Sequence, residues 1–153
     1  MAAKKVLVLY YSGSGNTKKM AKAIGEAMKS AATNVSIEDV GKFDVSSLPN
    51  YDSIVLGSPT YFSNMAWRVK KIIDESIVHY SGGKLKGKVA GIFTSAGSSK
   101  DGKDCLKMLE VALGHHHKMK VVDSILRVDG ESDKEVEKRC GEYGQKLIKE
   151  LEK

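Results

Sequence analysis

The chain is short of proline, cysteine and aromatic residues, and each shortage excludes a class of protein. Its 153 residues include two prolines and two cysteines, and aromatic side chains make up 7%. So little proline argues against a disordered or linker-rich chain. Cys105 and Cys140 lie far apart with no CxxC spacing. That pattern gives neither a disulfide framework nor a zinc site and reads as two buried, reduced thiols. The longest apolar runs are strand-sized, well short of the ~18 residues a membrane span needs, so no membrane span is expected. Residues 6–11 are too short for a signal-peptide core and run straight into a glycine loop, which points to a cytoplasmic protein. No GxSxG elbow occurs, which leaves nucleophilic catalysis without support.

What is present fits one folded unit. A hydrophobic fraction of 41% with 29% charged residues suits a globular chain, and this length allows a single domain over 1–153 that buries about two thirds of its unfolded surface. The net charge of +6 raises anionic partners. Lys18, Lys19, Lys22 and Lys29 against Glu26 make the first helix basic. No aromatic residues interleave with these lysines and no DNA-binding motif accompanies them, so nucleic acid is not an expected partner.

Short apolar runs alternate with helical spacing along the chain. Residues 6–11, 34–39, 53–57, 89–93 and 121–128 read as strands, most of them buried on both faces. Between them lie helical stripes: Met20, Ala23, Ile24, Ala27 and Met28; then Met65, Val69, Ile72, Ile73 and Ile77; then Cys105, Leu106, Leu109 and Leu113. Val136, Cys140, Tyr143, Leu147, Ile148 and Leu151 form the last. Strict alternation predicts an α/β fold, a three-layer αβα sandwich around a five-stranded parallel sheet. Such sheets bind ligands beyond the carboxyl ends of their strands. With strand order 2-1-3-4-5, the loops at 12–17, 58–65 and 94–102 meet in one cleft.

The first of these loops, Ser12, Gly13, Ser14, Gly15, Asn16 and Thr17, joins a buried strand to a helix. Its glycines let backbone N–H groups curl inward, and the helix N-terminus adds partial positive charge, making an anion site of phosphate size. The Walker spacing is absent. A dinucleotide fingerprint has Gly13 and Gly15 but Lys18 at its third glycine, with Asp39 placed to meet a ribose. A receiver domain would need aspartates where Tyr11 and Ser58 stand. A plain helix start capped by Asn16 or Thr17 is the structural alternative. His115, His116 and His117 point in different directions in either helix or strand, so they are not expected to hold a metal. Trp67 is expected to cover the sheet edge.

The residues Ser12-Gly-Ser-Gly-Asn-Thr17 resemble the phosphate loop of flavodoxins. Gly57-Ser-Pro-Thr-Tyr-Phe-Ser-Asn-Met-Ala66 is similar to the corresponding segment of WrbA-type NAD(P)H:quinone oxidoreductases, a branch of the flavodoxin-like superfamily. The stretches 87–98 and 116–119 resemble the same branch. This resemblance implies a flavodoxin-like fold that binds FMN. Ser12, Gly13, Ser14, Gly15, Asn16 and Thr17 would hold its phosphate. Pro59, Thr60, Tyr61 and Phe62 would line the isoalloxazine, with Ser63 and Asn64 nearby. Ser95, Ala96, Gly97 and Ser98 would close the other side, and His117 would lie near the flavin, in its own or a neighbouring subunit's site. It further implies two-electron transfer from NAD(P)H to a quinone, or else a flavodoxin-type carrier serving a protein redox partner, and a homo-oligomer, dimer or tetramer. That branch carries Tyr at the position of Ser14 and Trp where His79 or Tyr80 falls, and simple carrier flavodoxins are acidic where this chain is basic.

Overall fold

A computed structural model describes residues 2–153. The central strands are β1 (Lys4–Tyr10), β2 (Thr33–Asp39), β3 (Ser53–Tyr61), a two-residue β4 (Asn64–Met65) and β5 (Val89–Ala96), followed by β6 (Lys120–Val121) and β7 (Ile125–Val128). Four helices cover them: α1 (Asn16–Met28), α2 (Trp67–Glu75), α3 (Ser99–Glu110) and α4 (Asp133–Leu151). The sheet runs β2-β1-β3-β5-β6, parallel throughout, with β7 also parallel to β5 and β4 folded back antiparallel on β3. The expected order 2-1-3-4-5 is therefore the order of the main layer, with β5 as its fourth strand.

β5 throughout, β1 from Val6 and β3 as far as Pro59 are buried on both faces, which is why they read as continuous apolar runs. One face packs Leu7, Leu9, Ile54, Leu56 and Ile92 against α2 and α3 residues such as Val69, Ile72, Cys105 and Leu109. The other packs Val6, Val8, Val55 and Phe93 against Met20, Ile24, Cys140, Tyr143 and Leu147 of α1 and α4. Both cysteines are free and buried, and burial pushes the Cys140 thiol up to about 12.

The strand expected over 121–128 is interrupted. After Val121 the chain breaks at Asp123, whose φ of 41° lies in the left-handed region, and resumes at Ile125. Tyr143 of α4 fills the gap in the ladder: its hydroxyl accepts from Ile92 N–H at 3.1 Å and donates to Val122 C=O at 2.6 Å. A buried side chain thus replaces a backbone partner, which a run of apolar residues does not reveal.

Two glycines test this packing in opposite directions. A Cβ at Gly57 would overlap the fully buried Phe93 ring, whereas one at Gly141 on α4 meets nothing. Gly57→Ala should destabilise by about 1–3 kcal/mol, and Gly141→Ala should stabilise by about 0.5–1 kcal/mol. Urea midpoints at constant slope check both, and shifts of the same sign would contradict the packing described.

Candidate functional site

The carboxyl ends of β1, β3 and β5 lie side by side, with Tyr10 paired to Gly57 and Pro59 to Ser95. The loops that leave them form the candidate site. In the first, Gly15 sits at φ 102°, left-handed backbone that glycine adopts freely, and its N–H donates to Ser12 Oγ at 3.0 Å. This residue is the N-cap of α1, and it provides no side-chain cap. That corrects the alternative of a helix capped by Asn16 or Thr17. Helices α3 and α4, by contrast, are capped by Ser98 and Ser132. The first amides of α1 are consequently left without a side-chain acceptor, and Gly13 and Ser14 above them are exposed. Thr17 is buried beneath, its Oγ1 2.9 Å from Ser95 Oγ.

The second loop is shorter than the sequence suggests. Strand β3 continues through Ser58, Pro59 and Thr60 to Tyr61 rather than ending near Gly57. Pro59 is tolerated because β1 pairs no further than Gly57, so that edge asks for no ladder bond. Phe62 and Ser63, at φ 51° and 64°, make a tight turn of the primed type between Tyr61 and Asn64. Left-handed backbone at two non-glycine residues costs about 1 kcal/mol each, and such strain gathers at functional sites. Phe62 projects fully exposed from the tip. Tyr61 turns back instead, its hydroxyl lying where a Cβ on Gly13 would stand, so its ring bridges the hairpin and the first loop.

Hydroxyls tie these pieces together. Thr94 Oγ1 donates to Ser58 C=O at 2.6 Å, which leaves Thr60 Oγ1 as the donor in its 2.7 Å contact with Thr94. Ser58 Oγ accepts from Ala66 N–H at 2.9 Å and donates to Pro59 C=O at 2.7 Å. Asn64 Oδ1 accepts from Met65 N–H. Ser63 Oγ donates to Asp101 Oδ1 at 2.7 Å, and Asp101 N–H donates to the Ser98 cap. Hydrogen bonds from Ser63 and then Ser98 hold the Asp101 carboxyl below the usual carboxylate range. The third loop is also contracted: Ser95 and Ala96 finish β5, and Gly97 and Ser98 alone link it to α3.

The three loops converge as expected, but His117 does not join them. It follows a π-helical turn over Val111–His116, close to the start of β6, whose Lys120 pairs with Val89 at the amino end of β5. That is the opposite end of the sheet. Ser76 Oγ donates to Ile73 C=O, so His117 Nε2, 2.8 Å away, carries the hydrogen that Ser76 accepts. Burial pushes the His117 pKa down. His115 and His116 are exposed. Trp67 does not cover the sheet edge; it is 65% exposed, with the Arg68 guanidinium 4.7 Å from its ring and 5.1 Å from that of Tyr11.

Two residues beside the site escaped the sequence reading. Asp101 was legible as the fourth residue of a Ser-x-x-Asp capping pattern starting at Ser98. Arg127, 9% exposed beside Ser95 on the neighbouring strand, carries no such signature. Among the described residues no helix is long and apolar enough to cross a membrane.

Comparison with known proteins agrees with this geometry. The model of the flavodoxin domain family matches residues 7–126. A protein of Sinorhizobium fredii named NAD(P)H dehydrogenase (quinone) is 31% identical over 164 aligned positions, covering 94% of this chain and 82% of that protein. NAD(P)H dehydrogenase (quinone) 3 of Rhizobium meliloti is 35% identical over 120 positions, which span 65% of this chain and 57% of that protein. Among solved structures, a WrbA-like flavodoxin from Agrobacterium tumefaciens superposes with TM-score 0.85 at 24% identity, covering 98% of each chain. A flavodoxin from the domain Archaea gives 0.80 at 26% identity, covering 97% of this chain and 99% of that one. With the family match running from β1 into β7 and the sheet order, loops and relatives in agreement, the chain belongs to the flavodoxin domain family.

Proposed function

We propose that the chain is an FMN-dependent oxidoreductase that moves two electrons from NAD(P)H to a quinone. The observation that carries this reading is the open N-terminus of α1, set over the buried Thr17–Ser95 contact, with the Tyr61 hydroxyl against Gly13 in the loop before it. Uncapped helix amides next to a glycine turn suit a phosphate, and the aromatic hairpin beside them suits a flat ring system. The residues present therefore fit FMN, with phosphate at Ser12, Gly13, Ser14, Gly15, Asn16 and Thr17. Pro59, Thr60, Tyr61 and Phe62 flank the ring on one side with Ser63 and Asn64, and Ser95, Ala96, Gly97 and Ser98 on the other.

When bound, FMN supplies hydride and electron transfer, and the protein supplies binding, orientation and electrostatics. The backbone of loop 12–17 anchors the charged end. Ser63 and Asp101 tie the turn of the hairpin to the start of α3, which fixes the backbone that carries Tyr61 and Phe62. The names of the relatives support NAD(P)H as donor and a quinone as acceptor, and a cytoplasmic location accords with a soluble donor. His117, at the other end of the sheet, reaches a flavin only from a neighbouring copy, which makes a dimer or tetramer part of this reading.

The fully exposed Phe62 and the exposed Trp67, five residues on, favour a second reading, in which this part of the surface meets a protein redox partner and the chain is a flavodoxin-type carrier. Anaerobic titration separates the two. Stoichiometric bleaching of the flavin band by NADH or NADPH, with recovery on adding benzoquinone, is the expected result. A flavin that dithionite reduces but neither nicotinamide does marks the carrier.

The phosphate assignment has its own test. Thr17→Ala removes a hydroxyl next to a charged group and leaves Ser95 without its partner. FMN affinity should fall by about ten- to a hundredfold, from ~1.5–3 kcal/mol for a hydrogen bond to a charged group. Fluorescence titration of FMN reads this directly, and equal affinity in the two proteins counts against the assignment.

A further inference from the structure

Loop 12–17 holds no cationic side chain, yet a cation lies next to it from an element far along the chain. Arg127 of β7 pairs with Ser95 of β5. Side chains of paired residues project to the same face of a sheet, and Ser95 on that face touches Thr17. The Arg127 side chain thus enters the layer between the sheet and the N-termini of α1 and α4, one strand from the Thr17–Ser95 contact. It is buried, and its Nε has no partner.

The surrounding charges leave it incompletely neutralised. Arg127 NH1 lies 2.7 Å from Asp133 Oδ1, but the same carboxylate accepts from Lys19 Nζ at 3.1 Å. The neighbouring Glu131 carboxylate is taken by Arg139, giving Arg127 only its backbone carbonyl at 3.4 Å. Lys19, Arg127 and Arg139 therefore share two carboxylates, Asp133 and Glu131. Asp129, two residues after Arg127, is exposed and turned toward Gly97, where water screens it. A buried charge acts through a less polarisable medium and reaches further than an exposed one.

Resting on the phosphate reading of loop 12–17, we propose that Arg127 is a specificity-determining residue of the cofactor site. Its buried charge selects a flavin that carries a phosphate over the same ring system without one. Asp133 sets how much of that charge the site feels, and Lys19, by occupying Asp133, keeps more of it available.

The test compares FMN with riboflavin, which has the same ring and no phosphate, by fluorescence titration of the full chain. Arg127→Met should weaken FMN about tenfold while riboflavin changes by less than about twofold, and Arg127→Lys should recover most of the loss. Asp133→Asn, which keeps a side-chain oxygen as acceptor for Arg127 while removing the charge, should act with the opposite sign and tighten FMN by about threefold, with a urea midpoint measured alongside to show that the variant is folded. Equal weakening of both flavins by Arg127→Met would show a merely structural arginine, and an Asp133→Asn protein with unchanged or weaker FMN binding would overturn the proposal. If the unmodified chain binds riboflavin as tightly as FMN, the phosphate reading itself fails, and Arg127's role with it.

Discussion

Two hydroxyl contacts, the buried one between Thr17 and Ser95 and the part-buried one between Thr60 and Thr94, hold the ends of three separate segments in one arrangement, and the candidate site depends on them. Neither pair is close in sequence, so each closes a long loop and fixes a helix start or hairpin to the end of β5. Buried hydroxyls that lose a partner cost about 1–3 kcal/mol. That asymmetry makes the arrangement stiff: the first loop cannot drift from β5 without leaving Ser95 unpaired, nor the hairpin without leaving Thr94 short of a donor. Such rigidity suits the proposed role, since a cradle made mainly of backbone amides binds well only when the amides are already in place.

The strained turn at Phe62 and Ser63 follows from the same logic. Two non-glycine residues in left-handed backbone are unfavourable locally. The turn persists because both its flanks are tied, Tyr61 to Asn64 through the hairpin and Ser63 to Asp101 at the start of α3. What the strain achieves is placement: Tyr61 folds back over Gly13, and Phe62 stands clear of the surface. Two consecutive aromatics thus take different surroundings, Tyr61 against the first loop and Phe62 in solvent.

The pattern of buried strands and amphipathic helices made the layers, the strand sequence and the three convergent loops legible before any coordinates. It failed where a tertiary partner decides the local outcome. The fifth strand reads as continuous, yet Tyr143 breaks it by standing in for its ladder bonds. Ser58, Pro59, Thr60, Ser95 and Ala96 read as loop because of their composition, but they continue β3 and β5, where neighbouring strands satisfy their backbone. Within the candidate site, the glycines and hydroxyls of loop 12–17 marked the open start of α1 from the sequence, while Arg127 did not announce itself, because only the register between β5 and β7 sets it beside Ser95. His117 shows the converse, a residue singled out by resemblance that the topology carries to the far end of the sheet.

If loop 12–17 receives the charged end of a flavin, its own amides must report the phosphate. Proton–nitrogen correlation spectra of the chain titrated with FMN, and separately with riboflavin, test it residue by residue. The expected result is that the amides of Gly13, Ser14, Gly15, Asn16 and Thr17 shift most with FMN and little with riboflavin. Saturable FMN binding that leaves those five amides in place would contradict it.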